Sequence, residues 1–274
     1  TTLDVTASTV LNADTVTGDD SNILIDSIGN ATVGLIDAGG GDITLDSTGD
    51  IDGATDDATA DINGDTVTLL AAVGGIGVNT ILDVTSVTAL NADTVAGDDA
   101  NIVIDSLGNV NVGDIDAGAG TVTLDSTGDI DGVTDDATAD INAATVNLLA
   151  AVGGIGVNTT LDVAATTALN ADTVAGDDSN IVIDGIGNLA VGLVDAGGGN
   201  VTIDSTGSID SASDDGTADI NGAVITLQAA AGGIGNGATL DVTAATSLSA
   251  DTVTGDGSNI NIDSIGNLVV TLVD

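Results

Sequence analysis

Lysine, arginine and histidine are missing from this sequence, and so are cysteine, proline, methionine and all three aromatic residues. Glutamate is missing too, so the 43 acidic residues are all aspartates and the formal net charge is -43. Each absence excludes something. Without cationic side chains, binding to nucleic acid phosphates or to an anionic membrane surface is electrostatically disfavoured. Without His, Cys, Lys, Arg, Tyr or Glu, general acid–base chemistry would fall to aspartate alone. The lack of Cys, equally at home in any redox compartment, is silent. The strong helix formers Glu, Lys, Arg and Met are gone while Gly occurs 39 times, which argues against helices. No run reaches the 18 or more apolar residues of a membrane helix, so no membrane insertion is expected in this segment. The longest candidate, Leu69–Val78, carries three glycines.

What remains is Ala, Asp, Gly, Ile, Leu, Asn, Ser, Thr and Val, with Gln228 the one other residue. High net charge often marks a disordered chain. Here, however, 42% of residues are hydrophobic and mean hydropathy is +0.41. The apolar residues also alternate. In Asp42–Asp52 (DITLDSTGDID), Ile43 and Leu45 alternate with Asp42, Thr44 and Asp46, the period-two pattern of a strand with one apolar face. Ser47, Thr48 and Gly49 then turn the chain. The unit returns at Thr121–Asp131 and, as NVTIDSTGSID, at Asn200–Asp210.

Self-similarity is regular on a longer scale. Leu-Asp-Val begins at Leu3, Leu82, Leu161 and Leu240, each 79 residues after the last. The internal repeats are therefore 1–79, 80–158, 159–237 and a partial 238–274. The chain opens on Thr1 and stops inside its fourth repeat, so a piece of something larger is expected. The first inward apolar residue of each strand-like run reads as Leu3, Ile23, Ile43, Ile62 and Leu82, at steps of 20, 20, 19 and 20. Val67 and Leu69 compete with Ile62. These steps predict an all-β fold, a parallel β-solenoid (right-handed β-helix) with about 20 residues per coil and four coils per 79-residue repeat. The whole of 1–274 is expected to form one continuous solenoid of roughly fourteen rungs, about 65 Å long at the strand spacing. Ile28-Gly29-Asn30 and its copies predict tight bends, as do Ala38–Gly41 and Gly74–Gly77. A string of small β-sandwiches, one per repeat, is the competing architecture, but it leaves the twenty-residue step unexplained.

The runs Gly41–Ile51 (GDITLDSTGDI) and Asp65–Gly77 (DTVTLLAAVGGIG), with the TTLDV-like sequence after each GGIG corner, resemble repeats of large bacterial adhesins. The family is the filamentous haemagglutinin type, among the two-partner secretion exoproteins. The resemblance covers the whole chain. It implies a right-handed parallel β-helix that forms a secreted, surface-exposed shaft.

Candidate chemistry reduces to carboxylates. Paired aspartates at Asp19-Asp20, Asp98-Asp99 and Asp177-Asp178 lack the His, Arg and Lys that polysaccharide hydrolases of solenoid fold require, so no enzyme is expected. The denser signal is Asp50–Asp61 (DIDGATDDATAD), which places Asp50, Asp52, Asp56, Asp57 and Asp61 within twelve residues. Asp129, Asp131, Asp135, Asp136 and Asp140 repeat it, and Asp210, Asp214, Asp215 and Asp219 follow with Ser208 in the first place. All-oxygen ligands suit hard cations, Ca²⁺ above all, as a structural ion. The spacing is neither that of an EF-hand nor that of a nonapeptide Ca²⁺ repeat, and solvated turns neutralised by diffuse counterions are the alternative. The partners expected are therefore divalent cations and other copies of the chain, packed laterally or end to end into a fibre. Nucleic acid is not among them, and no receptor is legible. The function expected is a structural or adhesive shaft of a secreted or cell-surface protein, or of an extracellular filament. A Ca²⁺-dependent binding module acting through the Asp-rich turns stands as the second class.

Overall fold

The computed structural model describes residues 2–6, 9–15, 20–95, 99–174, 178–253 and 258–274. The chain is all-β without helix, a parallel β-solenoid of about 12 turns consistent with right-handed winding. It divides into two compact units, Thr1–Gly128 and Asp129–Asp274. The boundary falls inside the second 79-residue repeat, not between repeats.

Within each unit strands pair in parallel with strands one turn away. Ladders also cross repeat boundaries: Ile62 pairs with Val84 in the first unit, and Ile141 with Val163 and Ile220 with Val242 in the second. This overturns the string of sandwiches, because a repeat folded by itself would close its ladders within itself.

Inward residues stack in apolar columns. In the first unit one column runs Ile23, Ile43, Val67, Leu90 and Val112, at steps of 20, 24, 23 and 22 residues. A second runs Ile51, Ile76, Ile102 and Val122. Apart from the half-buried Ile23, these side chains are completely buried. Each of them contributes roughly 1.5–3 kcal/mol by leaving water. No aromatic is needed: Ile, Leu, Val and Ala make up the buried apolar core.

The step of twenty holds from Ile23 to Ile43 but not before it, since Leu3 pairs with Ile25, and beyond Ile43 it lengthens. Ile43 stacks on Val67, not on Ile62; Ile62 sits between Ile36 and Val84, and Leu82 pairs with Ile104. The reason is local. Residues 54–60 leave the rung as a largely exposed loop, so they add to the count without advancing along a strand. Strand Ile62–Ala71 then turns a corner at an irregularity between Gly64 and Thr66. Four turns therefore take the chain 89 residues, from 23 to 112, and a 79-residue repeat covers about three and a half turns instead of four. Equivalent residues of successive repeats consequently alternate between columns: Ile23 lies in the first and Ile102 in the second.

The LDSTG motif owes its residues to the corner that follows it. Ser47 is buried, and its hydroxyl donates to the Gly29 carbonyl at 2.7 Å; Ser205 does the same to Gly187 at 2.7 Å. The buried hydroxyl thereby finds an acceptor in the turn carbonyl and ties the strand end to the bend. Gly29 has φ 101°, as the Gly-Asn bend predicts. Asn30 then links to the next turn: its Nδ2 donates to Asp50 Oδ2 at 2.8 Å, and its Oδ1 accepts the Asp50 N–H at 3.2 Å. At the GGIG corner Gly77 has φ 67°, and a Cβ there would collide with the Val103 carbonyl.

Candidate functional site: aspartates at the loop base and along the strands

The Asp-rich segment separates into inward and outward carboxylates. Asp52 is buried; its Oδ1 accepts the Asn79 N–H at 2.9 Å and its Oδ2 the Asn79 side-chain amide at 2.9 Å. Asp131 makes the same fork with Asn158, at 2.9 and 2.7 Å. In the third copy the position of the asparagine is Gly237, so Asp210 keeps only the backbone donor, at 2.7 Å, and takes the Ser208 hydroxyl at 2.8 Å. Asp50 and Asp129 accept the N–H of Gly75 and Gly154, at 3.0 and 2.8 Å. These are turn braces, each holding a corner about 25 residues further along the chain.

At the loop tip Asp57 is exposed. It accepts the hydroxyl and N–H of Thr59 and the hydroxyl of Thr55, and those bonds, the Thr59 hydroxyl first, hold its carboxyl below the ordinary aspartate range. Asp136 and Asp215 are held down in the same way by Thr138 and Thr217. Asp56, Asp135 and Asp214 are exposed beside them.

At the loop base Asp61, Asp140 and Asp219 are buried, and each accepts the N–H of the aspartate in the next Leu-Asp-Val triplet: Asp83 at 3.1 Å, Asp162 at 2.9 Å and Asp241 at 2.8 Å. Burial pushes Asp61 up to about 6, against the Asp83 N–H that favours its charge. The aspartates of each segment, five in the first two and four in the third, thus do not face one centre. Among the described residues no group of three or more carboxylates is arranged to hold a metal ion. Asp19, Asp98 and Asp177 lie outside the described residues.

A second set of aspartates, spread along the sequence, is brought together by the stacking. Asp4, Asp26 and Asp46 are in register on three successive turns. So are Asp83, Asp105 and Asp125, and, in the second unit, Asp162, Asp184 and Asp204, which Gln228 follows. At a strand separation of about 4.8 Å such neighbours repel by roughly 1 kcal/mol in water and several times that at lower effective dielectric. Asp105 and Asp184 both rise to about 6; burial is the main cause, followed by the charges of the next aspartates, Asp125 and Asp204. These ladders were absent from the metal-ligand reading. Their signal was in the sequence, since Asp26 and Asp46 each follow an inward anchor at equal distance.

Two cavities lie on these ladders. One of about 250 Å³ is bordered by Asp4, Asp26, Asp46, Ile28 and Thr48. The other, of about 300 Å³, is bordered by Asp136, Asp162, Asp184 and Asp204 on its acidic side and by Ile186 and Ala230 on its apolar side. No family model matches the chain, and neither a curated protein nor a solved structure matches it.

Proposed function

We propose that this chain is a structural or adhesive shaft of a secreted or cell-surface repetitive protein or extracellular filament, without catalytic activity. The observation that carries the reading is the crossing of repeat boundaries by the strand ladders, so that each added repeat extends one hydrogen-bonded stack. The use of the polar side chains supports it. Ser47, Asn30, Asp50, Asp52 and Asp61 are spent on bracing turns, and the charged side chains left on the surface are all carboxylates. That surface needs counterions, and the reading takes mobile cations, divalent ones included, as the balancing charge.

Small-angle scattering on chains of two, three and four repeats tests it. Each repeat should add about 17 Å of length, from about three and a half turns at the strand spacing, at constant cross-section. Growth in cross-section instead of length overturns the shaft. Antibodies to the chain should label intact cells that produce it; labelling only after permeabilisation overturns the surface placement.

A further inference from the structure

Asparagine is followed directly by glycine at 63–64, 221–222 and 236–237. In such a pair the glycine nitrogen closes most readily on the asparagine side-chain amide, because no Cβ stands in the way. The fold treats the three pairs differently. Asn63 and Asn221 lie inside the strands Ile62–Ala71 and Ile220–Ala229, each followed by a buried glycine. Their side-chain amides donate to Asp37 and Asp195 at 2.8 and 2.7 Å, and their carbonyls accept the N–H of Ala38 and Ala196. Extended backbone tied into a ladder holds the glycine nitrogen away from the ring that would form. Asn236 and Gly237, by contrast, are exposed at the GGIG corner of the third repeat, where the first two repeats have Val78-Asn79 and Val157-Asn158. Three contacts there match what ring closure needs. Asp210 Oδ1 accepts the Gly237 N–H at 2.7 Å, so a carboxylate already holds the proton that the attacking nitrogen must lose. The Ser208 hydroxyl donates to the other Asp210 oxygen at 2.8 Å and fixes the direction of the carboxylate. From the next turn, Asn259 Nδ2 donates to Asn236 Oδ1 at 3.0 Å, which polarises the amide and supports negative charge on its oxygen.

We propose that this corner is a self-modification site, at which Gly237 N attacks Asn236 Cγ with Asp210 as the general base. The N–Cγ bond forms and the Cγ–Nδ2 bond breaks. The proton taken by Asp210 leaves with the amide nitrogen as ammonia. Water then opens the resulting succinimide at either carbonyl, which leaves an aspartate or, with the main chain rerouted through the side chain, an isoaspartate at position 236. Either product sets a new carboxylate beside Asp210, and the isoaspartate also lengthens the main chain by a methylene in the corner that Asp210 braces. The first two repeats lack the site. Their Asn79 and Asn158 commit the side-chain amide to Asp52 and Asp131, and a threonine follows each.

The test is incubation of the full folded chain at several pH values, then cleavage before aspartates and peptide fragmentation by mass spectrometry to place each amide-to-acid conversion. Conversion at Asn236 should run at least about tenfold faster than at Asn63 or Asn221. Its rate should be nearly flat from pH 6 to 8, because a carboxylate and not hydroxide removes the proton. In denaturant the three sites should converge, and their rates should follow hydroxide. Asp210→Asn should slow the folded reaction at Asn236 at least about tenfold, the lower end of what a positioned base supplies. The pH profile of the unaltered chain decides the matter even where that variant fails to fold. Absence of conversion at Asn236, equal conversion at Asn63 or Asn221, a folded-state rate proportional to hydroxide, or an unchanged or faster rate in folded Asp210→Asn overturns the proposal.

Discussion

Two carboxylate ladders of the first unit share one sequence pattern and differ in surroundings. Asp4, Asp26 and Asp46 follow inward residues and stack in register, as Asp83, Asp105 and Asp125 do. The first three are exposed; Asp83 is buried and Asp105 and Asp125 are half-buried. The difference comes from the Asp-rich loop of the preceding repeat, whose Asp57 donates its N–H to Asp83 and whose Asp56 adds its charge to Asp83 and Asp105. The loop of residues 54–60 thus sets the electrostatics of the ladder it borders. What lies one turn away decides them.

The largest effect that separates the two ladders should come from their supporting columns. Ile104, beneath the second ladder, is completely buried, and Ile104→Ala should cost about 2–5 kcal/mol. Leu3, beside the first, is 57% exposed, and Leu3→Ala should cost less than about 1 kcal/mol. Denaturant midpoints of the two variants check this; equal losses would place Leu3 in a core it does not occupy.

Next comes a turn brace. Asp52→Ala leaves the Asn79 amide and N–H without their buried acceptor and should cost about 1–3 kcal/mol. Asp210→Ala, which loses one backbone donor and a serine hydroxyl at a more open corner, should cost less. Thermal melts of the pair measure the contrast, and a larger loss at Asp210 would reverse the ranking.

A smaller effect tests the ladders themselves. The folded carboxyl of Asp105 lies near 6, above the ordinary aspartate value of 3.8 that holds in the unfolded chain. The folded state therefore binds the proton more tightly, and stability should rise as pH falls from about 7 toward 4. Asp105→Asn should raise stability at pH 7 by about 1 kcal/mol, after discounting for solvent screening of a half-exposed group, and flatten that pH dependence. Asp26→Asn, on the open ladder, should do much less. A pH profile unchanged by Asp105→Asn would break the comparison.

The smallest expected effect is that of salt. Added NaCl should raise the melting temperature by screening the stacked carboxylates, and a fall would refute the repulsion between them.

The strand pattern and the solenoid were legible because alternation and stacking are both local in character: Ile43 and Leu45 announce a face, and Ile23 to Ile43 announces a turn. The longer turns were not, because nothing within Asp50–Asp61 marks residues 54–60 as leaving the rung. The same locality misdirected the metal reading. Asp52 and Asp57 are near neighbours in sequence, yet Asp52 is committed to Asn79, 27 residues on, and Asp57 to Thr59. A partner one turn away leaves no mark in a twelve-residue window. Asp162, Asp184 and Asp204 come into register for the same reason and were missed for the same reason.

A repeat of three and a half turns has a consequence for inheritance. Repetitive coding sequences gain and lose whole units by slippage and unequal exchange. Deleting one 79-residue unit keeps the reading frame and restores a similar apolar sequence, but it brings every following residue back half a turn out of phase. Ile23 and Ile102 already show the swap, each in the column the other would take. Deleting two units returns the phase. Length variants differing by an even number of repeats should thus display their downstream features on the original side, and odd variants on the other. Parity, more than length, becomes the heritable property of such a chain.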